Sequence, residues 1–267
     1  MMRQLLGVFQ PKFFKNLKLD HSCSTADATE GFRMAGTVPL FDAHSHLPDT
    51  NPQGGFPRVI CGTCEADWPA VVALAAKDAQ VIPLLGLHPW QVMGASAAWF
   101  PRLEGLLRSH RAGLGECGLD FSRKEIDRAT QESALRLQLR LAHALHRPVA
   151  LHGVRAWGRL VDLLCEEAVP AAGALVHAYS GSPETARRLQ AMGVFLSFSG
   201  ELLKPERTKV RESLRCAAAN HLLLESDGTM DLLRVLAAAA EIRGVPLEDL
   251  AAQTWENGQQ CFKELMA

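Results

Sequence analysis

Ala112-Gly-Leu-Gly-Glu-Cys-Gly-Leu-Asp120 and Pro148-Val-Ala-Leu-His-Gly153 are two short apolar runs, and each gathers its polar groups toward its C-terminal end. Between them, from Thr130 to His146, Leu135, Leu139, Ala142 and Leu145 recur at helical spacing. A strand, a helix and a strand in that order form a crossover unit, which joins parallel strands. The same grammar extends in both directions, with further runs at Leu40–Leu47, Arg58–Thr63, Val81–His88, Ala174–Ser180, Phe195–Gly200 and Leu222–Asp227. Ser182-Pro183-Glu184 reads as an N-cap, a first-turn proline and a first-turn acid, and so opens a helix. Glu166 and Glu167, Arg187 and Arg188, and Arg211 and Glu212 read as solvated helix faces. Eight strand-helix repeats predict an α/β fold closed into a single (β/α)8 TIM barrel, with an open sheet of two halves as the alternative.

The rest of the chain fits one such domain. It has 267 residues, 48% hydrophobic and 21% charged, with 28 Lys+Arg against 29 Asp+Glu, so its formal charge is 28 − 29 = −1. That composition excludes wholesale disorder, and the balanced charge excludes a molecule that grips polyanions by its field alone. Seven cysteines, an odd number in a long chain, fit free thiols in a reducing compartment, with the cytoplasm as the default. No window approaches about 18 uninterrupted apolar residues, so no membrane partner is expected. Residues 38–267 are read as the barrel domain. Residues 1–37, with Arg3, Lys12, Lys15 and Lys18 ahead of the first acid at Asp20, are read as a flexible extension outside the core, as a targeting segment, or as the product of a start placed ahead of Met34.

Barrel enzymes carry their reacting groups at the C-terminal ends of the strands, so the polar residues that close each run are the ones to weigh. His44 and His46 end the first run, and strand alternation puts both on one face. Glu116 sits among glycines and apolar residues, where a lone carboxylate is costly to bury without a cation. His152, His177 and Asp227 each follow an apolar run. Any one of these histidines alone reads as core packing. Four histidines and two carboxylates at one end of successive strands read as a metal site.

Several other residues keep two readings. His88 is either a contact to a substrate oxygen or a support to a metal ligand. Lys204 and Arg207, with Lys209 and Arg211, lie where barrel phosphate sites form, or simply begin a solvated helix. Arg123 and Lys124 share that ambiguity, and Trp90 on the same rim either stacks on a base or packs against apolar neighbours. The Cys61-Gly-Thr-Cys64 spacing has no second pair to complete a zinc site and is read as coincidence, and Cys117 as core.

Six ordered blocks resemble the TatD-type metal-dependent hydrolases of the amidohydrolase-like barrels. They are Phe41-Asp-Ala-His-Ser-His-Leu47, Gly86-Leu-His-Pro89, Gly115-Glu-Cys-Gly-Leu-Asp120, Pro148-Val-Ala-Leu-His152, His177-Ala-Tyr-Ser-Gly181 and Leu224-Glu-Ser-Asp227, and Asn257 and Phe262 look like the family's closing residues. The resemblance spans about Val38 to Phe262. It implies two divalent ions, one held by His44, His46, Glu116 and Asp227, the other by His152, His177 and a bridging Glu116. It implies hydrolysis of DNA phosphodiesters, with Glu116 and Asp227 as the catalytic carboxylates and Asp227 also taking the proton of the attacking water. Four imidazoles favour Zn2+ or Mn2+, with Mg2+ as a further possibility.

The chain departs from the family pattern in three places. Trp90 stands where relatives often have a second histidine, Gly153 and Val154 intervene before Arg155, and Gly228-Thr229-Met230 replaces a longer basic loop. All three touch contacts to substrate phosphate. The expected partner is therefore DNA as single strands or ends, or a small phosphodiester, with His88, Lys204 and Arg207 as the candidate substrate contacts. A hydrolase of C–N or ester bonds on the same barrel is the first alternative, although no lysine ends runs four or five to bridge two metals. A metal-stabilised binding module is the second alternative.

Overall fold

The computed structural model describes residues 38–49, 55–228 and 231–266. The readings made for residues 1–37, and Thr229 and Met230 of the loop after Asp227, lie outside the described residues. Eight strands, β1 (Asp42–Ser45), β2 (Arg58–Gly62), β3 (Val81–Leu85), β4 (Gly113–Asp120), β5 (Val149–Val154), β6 (Ala174–Val176), β7 (Phe195–Phe198) and β8 (Leu222–Leu224), lie parallel in sequence order. Helices alternate with most of them: α1 (Trp68–Ala75), α2 (Trp99–Ser109), α3 (Arg128–Leu145), α4 (Trp157–Glu167), α5 (Pro183–Ala191), α6 (Thr208–Cys216) and α7 (Leu232–Arg243), followed by α8 (Leu247–Cys261) and α9 (Lys263–Met266). The first and last strands meet through Asp227, whose N–H donates to the His44 carbonyl at 3.1 Å, and through Ser226, whose N–H donates to Asp42 Oδ1 at 2.9 Å. This is the (β/α)8 barrel expected from the repeats.

Strand alternation divides the core in two. Cys61, Leu84, Ala150, Leu175 and Leu223 belong to one apolar cluster. Their chain neighbours Ile60, Leu85, Leu151, Val176 and Leu224 belong to a second, shared with helix residues such as Leu139, Leu160, Leu189 and Val235. The first cluster fills the barrel interior, and the second glues sheet to helices. Phe262 stacks on Phe41 with ring centroids 6.0 Å apart within the first cluster. Asn257 Nδ2 donates to the carbonyls of Ala219 and Leu222, both at 2.7 Å, so the closing residues tie α8 to the approach to β8.

Apart from β4 and β5, the strands end earlier than the apolar runs suggest, and side chains take over from the ladder there. Leu87 N–H donates to Gln138 Oε1 at 2.8 Å and Ala178 N–H to Glu225 Oε1 at 3.0 Å. The chain leaves the ladder where functional groups must be aimed. Ser182 caps α5 as expected, accepting from Thr185 N–H at 3.2 Å. Glu166 and Glu167 are more than a solvated face: with Arg136, Arg140 and Arg159 they form an ion network between α3 and α4.

Candidate metal centre

Glu116 is buried midway along β4, and its two oxygens face different histidines. Oε1 lies 2.6 Å from His152 Nδ1 and 2.7 Å from His177 Nε2. Oε2 lies 3.1 Å from His46 Nε2 and 3.4 Å from His44 Nε2. His44 near the end of β1 and His46 just beyond it have Nε2 atoms 3.0 Å apart, and His152 Nδ1 and His177 Nε2 are 3.1 Å apart. Asp227 Oδ1 approaches His46 Nε2 at 3.9 Å from beyond β8. Ligand atoms of His44, His46 and Asp227, and separately of His44, Glu116 and His177, all lie within 4.8 Å of one another.

Two strands approach closely here because glycines let them. A Cβ on Gly118, at φ +150°, would sit 2.1 Å from the His152 carbonyl oxygen, and Gly118 is the residue that pairs with His152 across β4 and β5. A Cβ on Gly86 would meet the Gly115 backbone at 2.8 Å. A larger residue at Gly118 would push apart the strands that carry Glu116 and His152, and one at Gly86 would push the exit of β3 away from the strand that carries Glu116.

Each of the four histidines has a group behind it, although the outer nitrogen of His152 makes no hydrogen bond. His46 Nδ1 donates to the Cys61 carbonyl at 3.0 Å, and His177 Nδ1 lies 3.4 Å from Glu225 Oε1. His152 Nε2 makes a looser contact of 3.5 Å with Asp120 Oδ2, and His44 Nδ1 lies 3.5 Å from Cys61 Sγ. A carbonyl or carboxylate can only accept, so the outer nitrogens of His46 and His177 carry protons, while the opposite nitrogens face Glu116 and would present lone pairs to an ion once their own protons leave. Four imidazole nitrogens gathered around a carboxylate are, once deprotonated, the donor chemistry that a divalent transition metal takes, with acceptors behind His46 and His177 that orient their rings. The residues fit such ions.

His88 is different. Trp90 N–H donates to its Nδ1 at 3.1 Å, so its Nε2, 3.3 Å from Glu116 Oε1, carries the proton and offers a donor rather than a lone pair. His88 thus faces the centre as a hydrogen-bond donor.

The electrostatics follow from this crowding. Burial pushes the Glu116 carboxyl up, but His177, His152 and His44 outweigh it and hold the group well below its usual range. His177 opposes its own burial through Glu116 and Glu225 and is raised well above the usual imidazole range. Burial and the nearby His177 charge lower His44 to about 4. Burial, reinforced by Glu225, lifts Asp227 to about 6, within reach of a general base at neutral pH.

His44, His46, His88, Glu116, His152, His177 and Asp227 are therefore brought together, and all but the fully buried His44 line one cleft of about 380 Å3 with Trp90, Gln91 and Thr63. Lys204 and Arg207 are not among the residues lining it; both pair with Glu201, so a phosphate would have to compete for them. Three supports were not singled out from sequence. Glu225, fully buried, holds His177, Ala178 N–H and the Ser197 hydroxyl. Asp120 accepts from Trp90 Nε1 at 2.7 Å and from Ser122 N–H at 2.8 Å. Cys61 lies beneath both β1 histidines, and burial keeps its thiol neutral, away from any thiolate site. The signal available for Glu225 and Asp120 was the same one that marked Glu116, an acid closing an apolar run.

The family model described as TatD related DNase matches residues 41–263, which is most of the chain and nearly all of the barrel. The chain belongs to this family. It is a metal-dependent hydrolase of the TatD type. Among its relatives, the uncharacterized metal-dependent hydrolase YabD of Bacillus subtilis is 25% identical over 254 residues, covering 84% of this chain and 99% of YabD. The 3'-5' ssDNA/RNA exonuclease TatD of Cronobacter turicensis is 34% identical over 180 residues, 67% of this chain and 68% of that protein. The crystal structure of YjjV, a TatD homologue from Escherichia coli, superimposes with a TM-score of 0.79 at 25% identity, over 84% of this chain and 98% of YjjV. Among the described residues no helix is long and apolar enough to cross a membrane.

Proposed function

We propose that the chain is a two-metal phosphodiesterase that removes nucleotides from the ends of single-stranded DNA or RNA, with residues 38–267 as its catalytic domain. The observation that carries this reading is the division of four histidines between the two oxygens of Glu116, His152 and His177 on one, His44 and His46 on the other. A carboxylate so placed suits a bridge between two cations. His44, His46 and Asp227 would hold one, His152 and His177 the other, with Zn2+ or Mn2+ favoured by the imidazoles. Two bound cations supply an acidified water and neutralise phosphoryl charge. The naming of the Cronobacter relative as a 3'-5' ssDNA/RNA exonuclease supports a nucleic-acid substrate.

The protein's own groups have separable tasks. Asp227, raised toward neutrality and 38% exposed at its side chain, can take a proton at the mouth of the cleft. His88 offers Nε2–H to a phosphoryl oxygen. Glu225 and the Cys61 carbonyl keep the imidazoles of His177 and His46 from rotating. The test is to assay purified protein on single-stranded DNA, RNA and duplex with added Zn2+, Mn2+ or Mg2+. Cleavage of single strands that chelator abolishes and metal restores is expected. Metal-loaded protein that hydrolyses simple carboxylic esters or amides but no phosphodiester would overturn the reading.

A further inference from the structure

We propose that Trp90 and Arg123 form a nucleobase subsite on the wall of the metal cleft, where a base of the substrate strand stacks on the indole face that Arg123 covers. The proposal rests on the nucleic-acid reading above and adds where the base goes. Trp90 is one of few large apolar side chains exposed among the described residues, at 45%, and it lines the cleft. Exposing a ring of this size forfeits hydrophobic stabilisation, and here the protein holds it out. Its indole N–H is tied at 2.7 Å to the buried carboxylate of Asp120, and the His88 ring stands edge-on to it at 5.0 Å and 84°. The ring cannot fold inward without breaking the Asp120 bond, so it is a rigid plate beside the centre.

Arg123 is the second component. Its guanidinium carbon lies 4.4 Å from the indole centroid, and the side chain is 49% exposed with Glu125 3.7 Å away. Exposed cation–π and ion-pair contacts of this kind are weak, so a base can displace the guanidinium from the indole. The guanidinium then closes on the outer face of the base. Aromatic plates flanked by cations are how single strands are held without reading sequence, because every base has a π-face. The indole N–H is already committed to Asp120 and is not free to read a base edge. The subsite therefore accepts all four bases, purines ahead of pyrimidines by stacking area.

The experiment compares binding of two labelled DNA single strands of equal length by fluorescence anisotropy, one intact and one built of abasic tetrahydrofuran residues throughout. The native protein should bind the intact strand about tenfold more tightly, the scale of one stacked base. In Trp90→Leu that ratio should fall to about one, in Trp90→Phe most of it should return, and Arg123→Ala should lower it partway. A loosened Asp120 weakens both strands alike and cancels in the ratio. A native ratio near one, or a ratio unchanged in Trp90→Leu and Arg123→Ala, overturns the subsite. Cleavage assayed in parallel separates the two readings: base-dependent binding without cleavage removes the phosphodiesterase assignment and leaves the subsite, and cleavage without base dependence does the reverse.

Discussion

Glu116 is asked to satisfy four imidazoles at once, and its two oxygens do so only because the side chain is ionised and buried. Glu116→Gln keeps the volume but removes the anion, and its amide nitrogen would point a donor at two histidines. We expect bound metal and turnover to fall together in this variant, read by elemental analysis and initial rates; native activity with full metal would refute the bridging role. Asp227 is at the opposite extreme, partly exposed and lifted to about 6. Asp227→Asn keeps a ligand oxygen but no base, so kcat should drop by about 10² while at least one ion stays bound; a rise in KM at unchanged kcat would make it a binding residue instead. Protonation adds a third check. His177 is raised well above the usual imidazole range and so carries a proton at neutral pH in the metal-free protein, and ligation must expel that proton. Metal binding should therefore release protons near pH 7 and weaken as pH falls, which calorimetry in buffers of different ionisation enthalpy will show. These residues were legible in sequence because each ends an apolar run as an isolated polar group. The tautomer of His88 was not, since it is set by the backbone N–H of Trp90, whose approach depends on a turn that no pattern encodes.

At the scale of elements, the centre depends on how closely β4 and β5 approach and on what stands behind each imidazole. Alternation and repeat count made the eight strands and their closure readable, and the apolar runs Ala112–Asp120 and Pro148–Gly153 differ from β4 by one residue at its start and from β5 by one residue at each end. What stayed hidden is pairing across the barrel: Glu225 on the eighth strand's exit supports His177 on the sixth's, a contact between residues 48 apart in sequence. Likewise, Lys204 and Arg207 look like phosphate ligands until Glu201 is seen between them. Two variants test the element-level account. Gly118→Ala would place a methyl 2.1 Å from the His152 carbonyl, so we expect about 1–3 kcal/mol lost from a urea unfolding curve together with weaker metal binding. Glu225→Gln, which removes the anion behind His177, should lower metal affinity by about 10- to 100-fold with the fold intact. Unchanged metal affinity in Glu225→Gln would mean that His177 is held by its backbone alone.

For the whole molecule, the governing quantity is a formal charge of −1 spread over 28 cations and 29 anions. Many of the cations are already neutralised: Arg136, Arg140 and Arg159 by the acids of α4, Arg58 by Asp49 and Asp78, and Lys204 and Arg207 by Glu201. Little long-range field is left to pull a polyanion onto the surface, so affinity must come from the cleft itself, through bound metal, His88 and the face of Trp90. A single strand can thread one end into such a cleft, whereas a duplex would have to fray first, and the cations named above are already paired with acids. Counterion release then limits the salt response. Contact with about three phosphates gives a slope near −2 for log K against log salt on single strands. Cleavage of matched single-stranded and duplex oligonucleotides over a salt series should show single strands favoured with this shallow slope; equal or faster duplex cleavage with a steep slope would mean that the surface carries a longer track for DNA than these ion pairs allow.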